Sequence, residues 1–97
     1  MALTETIEYD KIEVVSAYKN VQVRKATVIK KDGVEIPGSR SFERYCLDCG
    51  RIDDSNNWID TDISAQPAEV QAICNAVWTD DIKAAYKTML IEQKAAS

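Results

Sequence analysis

The stretch VQVRKATVIKKDGVEI, residues 21–36, decides the fold class of this chain. Val21, Val23, Thr27, Val28 and Ile29 are β-branched, a composition that suits an extended, pleated backbone. The run stops at Asp32-Gly33, two residues that tolerate positive φ and so favour the tight type I′ turn of a β-hairpin. Residues 34–47 are therefore expected to fold back on 21–31. Alternation slips inside the first strand, because Val21 and Val23 share one face while Ala26 and Val28 share the other. A bulge at Arg24–Lys25, or partial cover on both faces, accounts for the slip. Upstream, KIEVVSAY (11–18) alternates well enough to be a strand, with a turn at Lys19-Asn20. Pro37-Gly38 cannot sit inside a ladder, so the third strand is expected to kink there and resume at Ser41–Leu47. The result is a three-stranded antiparallel meander over residues 11–47.

The rest of the chain is of a different kind. Residues 1–10 read as a loose N-terminal arm, and residues 48–66, rich in Asp, Asn and Ser, as a long acidic loop. From 67 to 95 the pattern is helical. Val70, Ile73, Cys74, Val77 and Trp78 recur at the spacing of one helix face. Pro67 suits a helix start, where its missing N–H is not needed. Thr79 followed by Asp80 and Asp81 marks a second helix N-terminus, and Ile82, Ala85, Tyr86, Met89 and Leu90 repeat the apolar stripe. The expected architecture is a single α+β domain over 1–97, a three-stranded antiparallel meander packed against two C-terminal helices.

With 97 residues, 45% of them hydrophobic, the chain has globular composition and no apolar run near the ~20 residues that cross a bilayer. The opening MALTETIEYDKIEVV lacks a basic segment followed by an apolar one, so no signal peptide and no membrane association are expected. The net charge of −4 is unevenly spread. Residues 19–44 carry seven basic and three acidic side chains, and the remainder is strongly acidic. A basic middle between acidic flanks suits phosphate binding, neutralisation by the chain's own acids, or self-association.

Several groups invite a chemical reading. Cys46 and Cys49, in CLDCG, have the spacing of half a zinc site, but the chain has no histidine and Cys74 falls on a helical apolar stripe. The pair follows a strand, not a helix N-terminus, which removes the usual means of lowering a redox thiol's pKa. The expectation is that Cys46 packs on a strand and Cys49-Gly50 makes a turn, with a zinc-linked dimer through Cys46 and Cys49 as an alternative. Asp53, Ser55 and Asn57 match only the first ligands of a calcium loop, since Trp58 replaces its glycine and Ser64 its bidentate glutamate. No catalytic residue, no metal and no cofactor are expected, and the chain is not read as an enzyme. Arg24, Lys25, Arg40 and Arg44 are candidate partner-binding residues, joined by Lys30, Lys31, Phe42 and Tyr45 if the basic hairpin meets nucleic acid. Those same cations also serve to guard sheet edges. Trp58, in the polar loop, is either a plug over the core or an exposed anchor for a partner.

VQVRKATVIKKDGVEI, then SRSFERY, then AEVQAICNAVWTDDIKAAY together resemble a set of small proteins of tailed bacteriophages to which no reaction is attached. The resemblance covers residues 11–86. Where that pattern reads His-x-His after the aromatic, this chain has Glu43 and Tyr45, and where it reads Pro-Gly this chain has Cys49-Gly50. A turn position shared by proline and cysteine does not require a thiol. The resemblance implies a virion-associated protein, a tail or fiber accessory or a capsid part, or an assembly factor, acting by protein–protein contact. The implied partners are other phage structural proteins or a second copy, in the virion or in the host cytoplasm during assembly. A nucleic-acid-binding or host-regulatory role through the hairpin 19–44 is the alternative.

Overall fold

The structure is a computed structural model that describes residues 2–96; Met1 and Ser97 lie outside the described residues. It is an α+β fold, an antiparallel strand meander followed by two C-terminal helices. In chain order the elements are β1 (Leu3–Val15), β2 (Asn20–Lys31), β3 (Val34–Glu35), β4 (Ser41–Leu47), β5 (Gly50–Ile52), β6 (Trp58–Asp60), α1 (Ala68–Val77) and α2 (Asp80–Ala96). β1 to β4 form one sheet in which β2 pairs with all three others, and β5 and β6 form a second, two-stranded sheet.

The Asp32-Gly33 turn forms as its residue types dictate. Both have positive φ (52° and 83°) and Lys31 pairs with Val34 across it. The chain then breaks the third lane at Pro37-Gly38, where Gly38 has φ 78° and the Ser39 N–H donates to the Ile36 carbonyl at 3.1 Å, a proline-glycine turn. β3 and β4 are therefore two short pieces with a gap between them. Ser39 fills that gap with its side chain: its Oγ accepts from the Ile29 N–H (3.3 Å) and donates to the Ile29 carbonyl (3.2 Å).

Two boundaries differ from the sequence expectation. The segment read as a loose arm is strand from Leu3 onward. None of the 13 residues of β1 is fully buried, so there was no core-facing alternation to read, and the backbone ladder to β2 holds the segment instead. Its far end is closed twice, by the Asp32 N–H on the Ala2 carbonyl (3.0 Å) and the Ala2 N–H on Asp32 Oδ1 (3.1 Å). The β1–β2 turn lies at Ser16–Lys19, not at 19–20, with Ser16 and Lys19 both at positive φ. The acidic loop 48–66 is likewise not structureless, because it contains the β5–β6 hairpin.

The chain divides into two compact units. One comprises the residues up to Glu13 together with Gln22–Tyr45, and buries Val23, Ala26 and Val28. The other comprises Val14–Val21 and the chain from Cys46 onward, and buries Val21, Cys49, Val70, Cys74 and Trp78. Burial along β2 changes phase between Val23 and Ala26, at the Arg24–Lys25 step where the sequence loses its alternation. In the second unit α1 presents Val70, Cys74 and Trp78 inward at helical spacing, and Thr79 Oγ1 accepts from the Ile82 N–H (3.3 Å) to start α2. Trp78 Nε1 donates to the Lys19 carbonyl at 2.8 Å, so the β1–β2 turn and the end of α1 share a part-buried hydrogen bond.

Ser39→Ala removes the side chain that bonds Ile29 across the break between β3 and β4. It is expected to lower stability by about 1 kcal/mol in chemical denaturation, with the far-UV circular dichroism of the native protein unchanged.

Candidate functional site

In the first unit, opposed backbone positions fix which side chains share a face. Asp32 lies against Ala2, which puts Leu3 beside Lys31, and Lys31 pairs with Val34. Counting in twos along each strand, Leu3, Ile7, Ile29 and Val34 share one face of the sheet. All four are exposed, Leu3 at 63% and Val34 at 69%. Glu5 and Lys31 share that face, and four exposed large aliphatic side chains interleaved with one charge of each sign mark a contact surface more than a scatter of single ones does. The alternation of TETIEY (4–9) carries part of this signal in the sequence, but the sequence reading passed over it.

A lattice of ion pairs occupies the same unit. Arg24 grips Asp10 with two hydrogen bonds, Nε to Oδ1 at 2.9 Å and Nη2 to Oδ2 at 2.7 Å. Its guanidinium carbon lies 4.5 Å from the centroid of the Phe42 ring, in cation–π range. Arg40 makes a fork to Glu35 (2.7 and 3.2 Å) and reaches Glu8 with Nη1 at 3.0 Å. The Arg24 hydrogen bond holds the Asp10 carboxyl below the usual range, and Arg40 does the same for Glu35. Two of the four basic residues proposed as partner contacts are thus committed to acids of their own unit. Lys25 and Arg44 make no salt bridge among the described residues.

In the second unit Trp58 stands on β6, half-buried, and its contacts are those of a structural plug. Its Nε1 donates to Asp60 Oδ1 (2.8 Å), and its ring meets Tyr86 edge-on at 6.2 Å between centroids. Tyr86 stacks obliquely on Tyr18 at 5.2 Å, so three aromatics run in a chain. Trp58 also lies over Gly50: a Cβ at Gly50 would collide with the indole and with the Ile59 carbonyl oxygen. A shallow cavity of about 260 Å³ opens beside Trp58, lined by Asp60, Asp80, Lys83, Ala84 and Lys87. Its charges answer one another, since Lys83 Nζ sits 3.0 Å from Asp60 Oδ1. The Trp58 hydrogen bond, then that of Lys83, keeps Asp60 below the ordinary carboxylate range.

The acidic segment is organised around its own backbone. Asp53 Oδ1 accepts from the Ser55 and Asn57 N–H groups, both at 2.9 Å, and Asn56 takes the left-handed position (φ 62°) that closes a short β-hairpin. Asp62 Oδ1 similarly accepts from the Ser64 N–H at 2.9 Å. Lys94, near the end of α2, donates to the carbonyls of Asp54 (2.7 Å) and Asp53 (3.3 Å) and to Asn56 Oδ1 (3.1 Å). The Asp53 carboxylate that a calcium reading would have used is thus engaged by backbone N–H groups, and the Lys94 ammonium lies on the neighbouring carbonyls.

The two cysteines of CLDCG part company. Cys46 is exposed at the end of β4, whereas Cys49 is buried at 1% exposure in front of Gly50, which begins β5. Cys46 lies on strand β4 as expected but on an exposed position, and Cys49 takes the bend before β5 and is the buried one of the two. Burial raises the pKa of Cys46, Cys49 and Cys74 alike, so each is held as the protonated thiol. Among the described residues no three His, Cys, Asp or Glu side chains converge as a metal-binding group. A zinc ion shared between two chains would first have to uncover Cys49. No described helix is long and apolar enough to cross a membrane. Compared with known proteins, the chain matches no family model, no curated protein and no solved structure.

Gly50→Ala is expected to cost about 1–3 kcal/mol, because the added methyl must displace the Trp58 ring or the β6 backbone; a fall in the Trp fluorescence transition midpoint measures it. The pH profile follows from the shifts. Asp10, Glu35, Asp53, Asp60 and Asp62 all titrate below their ordinary values, so their stabilisation is complete above about pH 4 and is lost as the pH falls through the lowered values. The thiols and Tyr86 are raised, so their contribution is complete below about pH 8 and is lost in stronger alkali. Thermal midpoints should therefore be flat between about pH 5 and 8 and fall on either side.

Proposed function

We propose that this chain is a non-enzymatic bacteriophage protein, virion-associated as a tail or fiber accessory or capsid part, or an assembly factor, that works by protein–protein contact. The phage assignment rests on the sequence resemblance of residues 11–86. The mode of action rests on one observation: Leu3, Ile7, Ile29 and Val34 lie exposed on a single sheet face. Burying such a face against a larger phage component removes apolar area from water, the main source of association free energy. The ion pairs of Arg24 and Arg40 stiffen the unit that carries the face, and a preorganised surface loses less entropy on binding.

Nucleic-acid binding through the basic hairpin draws less support, because Arg24 and Arg40 already serve Asp10, Glu35 and Glu8. The trapped state of the Cys49 thiol weighs in the same way against the zinc-linked dimer.

Mass spectrometry of purified particles is expected to find the chain at a fixed ratio to a tail or capsid component. The double variant Leu3→Glu/Val34→Glu, at two exposed positions, should keep its stability within about 0.5 kcal/mol and be lost from the particle or its assembly intermediate. Incorporation at the wild-type level would show that the face is not the contact, and steep loss of DNA or RNA binding with salt would favour the nucleic-acid role.

A further inference from the structure

We infer that the free edge of β1 pairs with β1 of a second copy of this chain, antiparallel about a two-fold axis, to make one continuous sheet. The inference deepens the contact reading above and rests on it. In the sheet order β1 is terminal, its other neighbour being β2 alone. It is 13 residues long, holds no proline, and has no fully buried residue. A long, exposed edge without proline is a template for another strand, and its charged residues, Glu5, Glu8, Asp10, Lys11 and Glu13, restrict which strand and register it accepts.

The ladder phase says which residues offer their backbone. The Ala2 carbonyl is directed at β2, where it accepts from Asp32. Backbone groups alternate in direction along a strand, so Leu3, Glu5 and Ile7 turn their N–H and C=O groups to the open side, and a regular continuation of the strand does the same for Tyr9 and Lys11. A two-fold antiparallel pairing must then set odd positions against odd ones. Centring the axis on Glu8 sets Ile7 against Tyr9 of the second copy and Glu5 against Lys11 of the second copy, and symmetry repeats both pairs. Centring on Ile7 sets Leu3 against Lys11 and forms no charge pair. Centring on Tyr9 opposes Glu5 to Glu13 and Glu8 to Asp10. Charge and apolar matching therefore select the Glu8 register. There the two Glu8 carboxylates meet at the axis, and each is already bonded to Arg40 at 3.0 Å, which supplies the compensating charge. In this register Leu3, Ile7, Ile29 and Val34 of both copies fall on the same side, doubling the apolar face.

Sedimentation equilibrium of the full chain tests this, with circular dichroism as the check on folding. The wild type is expected to dimerise. Ile7→Pro deletes an N–H that points away from β2, so it should leave the fold intact and abolish the dimer. Glu5→Lys places like charges opposite each other twice and should weaken dimerisation roughly tenfold, while Glu5→Lys/Lys11→Glu should restore it. A wild type that stays monomeric at the highest soluble concentration overturns the inference. So does a dimer indifferent to Ile7→Pro, or a charge swap that fails to rescue. A monomer found in phage particles would end the pairing of β1 yet keep the contact function, whereas a β1-paired dimer absent from particles would do the reverse.

Discussion

β2 has neighbours on both of its edges, and the placing of every other strand in the larger sheet follows from that. β1 runs along one edge, and β3 and β4 share the other because Pro37-Gly38 prevents a single strand from continuing. Four of the buried apolar side chains, Val21, Val23, Ala26 and Val28, are also on this strand. β-branched residues with little exposed area are what a central lane needs, since both the backbone and the side chains are withdrawn from water. The change of burial phase at Arg24–Lys25 falls within the first unit, between Val23 and Ala26. It also leaves Arg24 half-buried, where it is held by Asp10 and lies over Phe42.

Local rules in the sequence were enough for the turns and helices. Asp32-Gly33, Pro37-Gly38, the Val70–Cys74–Trp78 stripe and the Thr79 cap each act within a few residues, and each stands where its chemistry requires. What the sequence hid depends on distant partners. Leu3 to Asp10 is strand because β2 hydrogen-bonds to it, and no buried side chain announces it. β5 and β6 are three residues each, too short for a periodic signal, and exist because Trp58 covers Gly50 and Asp53 ties the turn between them. The same holds for the candidate surface. Charge counting located a basic hairpin, but the acids that engage Arg24 and Arg40 are 14 and 32 residues away for Asp10 and Glu8, and only folding reveals which cations stay available.

The two units divide the work in physical terms. In the second one the indoles of Trp58 and Trp78 both have acceptors and two of its cysteines are buried as neutral thiols, while Asn20 Oδ1 is buried without a partner. Its shallow cavity is bridged by its own Lys83–Asp60 pair. The first unit pairs Arg24 and Arg40 with its own acids yet leaves large aliphatic side chains in water, an arrangement that gains little until another surface covers them.

Lys94 ties the last turns of α2 to the hairpin loop at 53–57 through three oxygen acceptors. The helix thereby acts as a tethered counter-ion for a segment crowded with aspartates. Fraying of its final turns withdraws the positive charge and frees the loop oxygens in the same event, so the end of the helix and a bend some forty residues earlier loosen or tighten as one.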